Sequence, residues 1–248
     1  YLEAIANPKC GYFYTASADN FAKIPGSPVA YWVSEKALSA FVFPTMNDIA
    51  EPRHGLATSN NDLFLKLWFE IDIGRTSLYD LKRPENYKWI PMNKGGSFRK
   101  WFGNNEWVIN YEHDGQEIKK YASDIYVSAT RTIQNTKYYF QKSLTWSALT
   151  SGTFSVRSSD IGYIFGSGGY CAFVVPAIEK YILALMNNVV TRLFISAVSP
   201  TLNYEVGHIK TIPVIRDEEK KPKIDSLVTS NISISRSDWD SFETSWDF

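Results

Sequence analysis

Three histidines, two cysteines and a scatter of carboxylates are the groups that would do covalent or metal chemistry in this chain, and their spacing does not assemble them. His54, His113 and His208 lie far apart with no pair at metal-ligand spacing, and Cys10 and Cys171 stand alone without a C-x-x-C. No G-x-S-x-G elbow and no P-loop occurs. Ser97-Phe98-Arg99-Lys100 fits the pattern S-x-x-K, but its S-D-N and K-T-G companions are missing, so the match is read as coincidence. Gly166-Ser167-Gly168-Gly169 has the composition of a phosphate cradle without a strand–loop–helix context, and is read as a mobile loop. The carboxylates nominate no glycosidase pair. Catalysis is not expected of this chain.

Recognition chemistry is better represented. Between residues 82 and 104 lie Lys82, Arg83, Lys88, Lys94, Arg99 and Lys100 against Glu85 alone, a local net of +5, interleaved with Asn93 and Asn104 and followed by Asn105. Lys and Arg grip phosphates, Asn pairs with adenine N6 and N7, and Arg or Lys with guanine O6 and N7. Gly95 and Gly96 let a backbone come close to a phosphate. The competing reading is a solvated loop whose glycines serve turns. A second set, Arg131, Gln134, Asn135, Lys137, Gln141, Lys142, Ser143 and Thr145, surrounds Tyr138-Tyr139-Phe140, and its mixed side chains suit base edges. Arg157, after an expected strand, is a third candidate. Each of these is weighed against an ordinary surface residue. Trp68, Trp89, Trp101 and Trp146 are expected in core or scaffold rather than as base-stacking platforms.

Composition sets the bounds. The chain has 248 residues, 44% hydrophobic and 21% charged, which suits a folded chain with a sizeable core. Aromatics reach 15%, too many for one core, so some are expected at a contact surface. The formal net charge is zero, yet the 82–104 patch is basic and residues 216–248 carry five basic and eight acidic side chains. Fields are felt over about a Debye length of 8–10 Å, so the local patch matters more than the total. Unpaired cysteines fit a reducing cytoplasm, and no apolar run approaches the ~20 residues of a membrane span. The chain starts on Tyr1 without an initiator Met and stops on Trp246-Asp247-Phe248, so a fragment of a longer polypeptide is expected.

The elements that would position these groups read as follows. Ser34 caps a short helix over 35–43, with Ala37, Leu38, Phe41 and Val42 on one side and Pro44 ending it. Alternation over 60–73 predicts a strand, with a helical first turn possible after Asn61. Residues 84–104 read as loops around short strands, 106–111 as a strand and 115–122 as a short polar helix. A hairpin is expected over 143–156, with further strands at 163–165 and 171–175. Pro176 opens a helical region over 177–198 that breaks at Asn187-Asn188, and a polar turn then leads to a short strand closing on Ile212-Pro213-Val214. Lys220 to Lys223 reads as a solvated linker, and 235–246 as the beginning of a helix.

Several of these blocks also occur together, in this order, in one family. The broken helix followed by Pro200-Thr201-Leu202-Asn203-Tyr204-Glu205-Val206-Gly207 resembles the C-terminal edge of a target recognition domain in adenine-specific DNA methyltransferases. Phe21-Ala22-Lys23-Ile24-Pro25-Gly26-Ser27-Pro28 resembles the stretch after the catalytic domain in PglX-type methyltransferases of BREX phage-defence systems, which are similar to type IIG restriction–modification enzymes. Gly55-Leu56-Ala57-Thr58-Ser59-Asn60-Asn61 looks like the beginning of that family's recognition domain, with Ser59 where Gly is expected. Asn93-Lys94-Gly95-Gly96-Ser97-Phe98-Arg99-Lys100-Trp101-Phe102-Gly103-Asn104 is similar to its "NKGG-FRKW-GN" block, and residues 233–248 are similar to its tail. Asn7-Pro8-Lys9-Cys10 matches only half of the Asn-Pro-Pro-Tyr motif of amino-methyltransferases, and no glycine-rich cofactor loop precedes it.

The resemblance implies an α+β target recognition module with a mixed or antiparallel sheet and packed helices. Residues 1–50 would be the end of a methyltransferase domain and a connector, 51–215 the recognition domain, and 216–248 a linker and the start of a helical segment. The expected partners are double-stranded DNA, the catalytic domain of the same polypeptide and other defence proteins, with no membrane. S-adenosylmethionine belongs to the parent enzyme, and no cofactor is expected in this fragment. The expected DNA contacts are Lys88, Asn93, Lys94, Arg99, Lys100, Asn104, Asn105, Arg131, Lys137, Lys142, Thr145 and Arg157. The alternative is a protein-interaction module of a defence complex that uses exposed aromatics.

Overall fold

A computed structural model describes residues 2–11, 13, 15, 17–199 and 201–248. Its strands are β1 (Ala50–Arg53), β2 (Leu65–Leu67), β3 (Trp89–Asn93), β4 (Trp107–Asn110), β5 (Ser143–Ser147), β6 (Val156–Ser159), β7 (Ile164–Phe165) and β8 (Gly169–Val174). They form two four-stranded sheets. One has the order β1-β8-β5-β6 and is antiparallel throughout; the other has the order β2-β4-β3-β7, with β7 parallel to β3. With helices packed on them, this is the expected α+β architecture.

The first sheet lies between two cores. In β8, Tyr170 and Ala172 join a core with Leu144, Trp146, Val156 and the helices α2 (Glu179–Met186) and α3 (Val189–Val198). Cys171 and Phe173, on the opposite face, join the core of the second sheet with Ile90, Met92, Ile109 and Ile164. The latter core is closed by α1 (Glu112–Tyr126) through Ile118 and Ala122. Period-two alternation thus serves two interiors, and β5 and β6 are buried at every position.

Several elements match the sequence reading and others correct it. The Ser34 side chain accepts from Ala37 N at 3.3 Å, and the helix it caps tightens to a 3-10 turn before Pro44; Val42 faces solvent rather than the core. Residues 60–73 are not one strand. Asn60 Oδ1 accepts from Leu63 N at 3.1 Å and starts a helical turn, Asn61–Phe64, so Phe64 and Leu65 are buried in succession and the alternation is lost. β2 then lasts three residues before the 3-10 turn Trp68–Glu70. The polar helix expected at 115–122 is the middle of the longer α1, whose start passes through left-handed His113, Asp114 and Gly115. The hairpin pairs Trp146 with Val156, and its second strand runs on to Ser159.

The helical region breaks at the asparagine pair with a 67° bend. Asn188 caps α3 by accepting from Val190 N at 2.9 Å. Asn187 does something else: its amide accepts from Val156 N at 3.0 Å and donates to Val156 O at 2.9 Å, extending β6 by a side chain. Beyond it, α4 (Val206–Lys210) replaces part of the expected turn, and Pro213 forms an isolated bridge with Thr45. Pro200 lies outside the described residues. The expected linker at Lys220 to Lys223 is instead the first turn of α5 (Lys221–Trp239), where Pro222 is tolerated because first-turn N–H groups have no helical partner. The helix expected over 235–246 has therefore begun earlier and ends at Trp239. No single helix of the described residues is long and apolar enough to cross a membrane; α2 and α3 together are apolar, but they are bent, and Ile182, Leu183, Met186, Phe194 and Ile195 are buried in the first core.

Candidate nucleic-acid interface

The basic segment after β3 is folded tightly against the first sheet. Its backbone enters the left-handed region at Gly95, Gly96, Trp101, Gly103 and Asn104. At Gly95 a Cβ would lie 2.4 Å from Gly168 O, so only glycine fits there. Trp101 extends the β6 edge: Trp101 N donates to Val156 O at 2.9 Å, and Ser158 N donates to Trp101 O at 2.8 Å. These bonds hold a tryptophan at φ 72°, a conformation L side chains avoid.

The glycine run 166–169 is not a mobile loop, and three of its four backbone donors are occupied. Gly166 N donates to Asn93 O, Ser167 N to Leu56 O and Gly169 N to Gly166 O, at 2.9, 2.9 and 3.2 Å. It is the tie between the two sheets. A cavity of about 150 Å³ beside it is lined by Thr58, Asn61, Lys94 and Ser167.

The twelve expected contact residues fall into three groups by burial. Asn93, Asn104, Asn105, Thr145 and Arg157 are buried. Asn93 Nδ2 donates to Ser159 Oγ at 2.8 Å, Asn104 Nδ2 to Ser97 O at 2.8 Å, and Thr145 Oγ1 to Tyr170 O at 3.1 Å. Thr145 faces Arg157 in the strand register, with Ser143, Ser159 and Cys171 on the same face, so a polar seam runs between the sheets. Burial pushes Arg157 down to about 10, Cys171 up to about 11, and the Glu106 carboxyl above its ordinary value. Arg157, 1% exposed, leaves its Nε without a hydrogen bond, as does Glu106 Oε2.

Lys88, Lys94, Arg99 and Lys100 are half-buried and engaged. Lys88 pairs with Glu112 at 3.4 Å; Lys94 Nζ lies 3.2 Å from the Trp107 ring centroid, where burial lowers its pKa against the opposing pull of Glu106. Arg99 pairs with Asp238 at 2.5 Å and covers the Trp239 ring, so the acidic end of α5 neutralises the basic loop. Lys100 Nζ donates to Asn187 O at 3.0 Å, with its pKa lowered by burial and by neighbouring Arg192. Arg192 was not anticipated from the sequence; its signal was a lone cation on an otherwise apolar helix.

Arg131, Lys137 and Lys142 are exposed. They do not join the first group. Lys142 pairs with Glu179 at 2.8 Å and shares a groove with Ala50 and Glu51 of β1, whereas the 99–101 segment follows β6 at the other edge of that sheet. Lys137 lies over Tyr138, and Arg131 over Tyr126. Glu51, bound by Tyr138 and Arg53, keeps a carboxylate in the middle of this second surface, and the Tyr138 hydroxyl donating to it holds its pKa down. Asn135 Nδ2 and Gln141 Nε2 donate to the carbonyls of His54 and Lys137, at 2.9 and 2.8 Å. Among the described residues no grouping of His, Cys, Asp and Glu could hold a metal ion.

Comparison with known proteins adds what geometry alone does not. The chain is 36% identical over its whole length to the adenine-specific methyltransferase PglX of Lacticaseibacillus casei (strain Zhang), covering 21% of that protein. It is also 36% identical, over 95% of its length, to 19% of the adenine-specific methyltransferase BrxX of Escherichia coli O9:H4 (strain HS). The chain matches part of a PglX-like protein. It spans about one fifth of the length of these curated relatives. No protein-family model matches it. The PglX-like match runs through the buried seam and the basic loop alike, so it covers scaffold as well as surface.

Proposed function

We propose that this chain is the DNA-recognition part of a PglX-like adenine-specific methyltransferase. The observation that carries this reading is the similarity along the whole chain to two enzymes so named, in a segment only one fifth of their length. An enzyme that methylates adenine in DNA must hold the duplex while the base leaves the stack. The catalytic domain, with its S-adenosylmethionine, would belong to the rest of the polypeptide. In this reading residues 1–50 connect the module to that domain, 51–215 are the recognition unit, and 216–248 lead out of it along α5. Phosphate contacts come from the half-buried and exposed cations, Lys100 foremost, while Asn93, Asn104, Asn105, Thr145 and Arg157 shape the scaffold beneath.

Titration of a labelled random duplex at low and near-physiological salt tests this. Binding that falls steeply as salt rises is expected, because each phosphate contact releases counterions. No binding at low salt would contradict it.

Exposed Val29, Tyr31, Trp32, Val42 and Phe43, beside the small core of Ile24, Ala30, Val33, Leu38 and Ala197, favour a second role for residues 1–50. That apolar surface suits docking to the catalytic domain of the same polypeptide or to another defence protein. Such a contact would be insensitive to salt.

A further inference from the structure

Three loops meet at one end of the first sheet and raise apolar side chains into solvent. Phe98 follows β3, Leu149 follows β5, and Leu202 follows α3; they are 49%, 66% and 56% exposed. The loops are braced against one another. Thr150 N donates to Leu202 O at 3.3 Å, Tyr204 N to Ala148 O at 2.7 Å, and Leu149 bridges to Asn203. A Cβ at Gly152 would lie 3.5 Å from Phe98 Cβ. Ser147 Oγ donates to Gly96 O at 2.9 Å, and Asn104 Nδ2 to Ser97 O at 2.8 Å, so the base of the Phe98 loop is fixed. A tip already ordered in this way loses little conformational freedom on binding.

The surroundings of the tip indicate its partner. Residues 86–105, 125–159 and 180–204 contain no Asp or Glu, in a chain with 26. The residues near the apolar ones in sequence include Ser97, Thr150, Ser151, Thr153 and Thr201, hydroxyls of the kind that bond phosphate oxygens, although Thr150 and Thr201 also bond within their own loops. At the foot of the tip a groove of about 520 Å³ has an apolar floor of Phe154, Leu193 and Ile195, with Thr153, Arg192 and Ser196 on its walls. Arg192 lines that groove, and Lys100, anchored beside it on Asn187 O, acts on Arg192 as a like charge; neither has an ion pair among the described residues. Two like charges without an ion pair repel, and an anion between them relieves the repulsion. A protein partner would need carboxylates on its own surface to match; the DNA backbone supplies phosphates at regular spacing.

We infer that this tip is a wedge for duplex DNA: Phe98 and Leu149 press into a base step, while Lys100 and Arg192 hold the phosphates beside it. The inference rests on the DNA-recognition reading above. Apolar side chains inserted in this way partly unstack and unwind the duplex, and cations at their base stabilise the bent backbone. Phe98 and Leu149 are then positions where sequence-dependent deformability is read without a hydrogen bond to a base.

The test needs no knowledge of the target sequence. The 248-residue chain is bound to a relaxed closed-circular plasmid at low salt, topoisomerase I is added, and the linking number is read after the protein is removed. The wild-type chain is expected to lower the linking number. Phe98→Ala/Leu149→Ala, which alters only exposed side chains, is expected to abolish that shift, to bind a linear duplex about tenfold more weakly, and to keep the wild-type salt dependence. Phe98→Leu is expected to restore part of the shift. A double variant that shifts the plasmid as wild type does would overturn the wedge, as would a wild-type chain that binds duplex without any shift; in both cases DNA recognition would stand. A wild-type chain that binds no duplex at any salt would remove the recognition reading and the wedge with it, leaving protein docking.

Discussion

At the scale of single residues, the cations of the basic loop differ in what they are free to do. Arg99 is committed to Asp238 and Trp239, whereas Lys100 is held only by a carbonyl and faces Arg192. Lys100→Ala should therefore reduce the slope of log affinity against log salt by about one, while Arg99→Ala should act mainly by loosening the end of α5. Anisotropy titrations over a salt series, with urea melts of both variants, separate the two effects. The cysteines make a sharper contrast. Cys171 is buried and its thiol is pushed up to about 11, while Cys10 is partly exposed. Iodoacetamide at pH 8 should modify Cys10 in the folded chain and reach Cys171 only after denaturation, as mass spectrometry would show. The raised thiol also has a sign in stability. Between its ordinary value near 9 and about 11 the folded chain retains a proton that the unfolded chain has lost, so Cys171 contributes stability below pH 9 that fades as pH rises through 11.

At the scale of elements, the junction of α2 and α3 is the most informative feature. The sequence shows the break plainly, since two asparagines interrupt an apolar helical run. What the sequence does not show is that Asn187 binds both backbone groups of Val156. Asn187→Ala should cost about 2 kcal/mol, because it strands the buried Val156 N–H while Val156 O keeps the Trp101 N–H, and urea denaturation measures this directly. Arg157→Ala should likewise cost about 3 kcal/mol by leaving a cavity in the seam. The seam was hidden for a physical reason. Alternating Ser143, Thr145 and Ser147 against Leu144 and Trp146 reads as a strand with one wet face, and Arg157 reads as a surface cation. Only the second sheet, assembled from β2, β4, β3 and β7, covers that face. Most strands and helices between Trp89 and Val198 were legible because Gly, Pro and Asn punctuate them; α4 and the first turn of α5 were not, because their polar residues read as turn and linker, and residues 60–73 were not, because a local cap at Asn60 overrode alternation.

At the scale of the whole molecule, charge and packing are linked through the C-terminal segment. Arg99 with Asp238, Arg236 with Asp160, the Trp68 indole donating to Thr244 O and Tyr79 donating to Trp246 O fasten it across both sheets. The zero net charge of the chain thus conceals a basic end whose excess is partly neutralised from within. Asp238→Asn should free Arg99 and strengthen binding to random duplex about two- to threefold at low salt, with the gain vanishing in high salt as the field is screened. The pair is more than half exposed on the Asp238 side, so its loss should change stability by less than about 1 kcal/mol.

If the segment of PglX-like enzymes that this chain matches sets their target sequence, exchanging it between full-length enzymes should move that target. The matching segment of one enzyme is replaced by this chain, and the methylated adenines are mapped by sequencing the host DNA. Methylation is expected to persist and to move to a new sequence, set by the transplanted segment. Methylation that persists at the original sequence would contradict it.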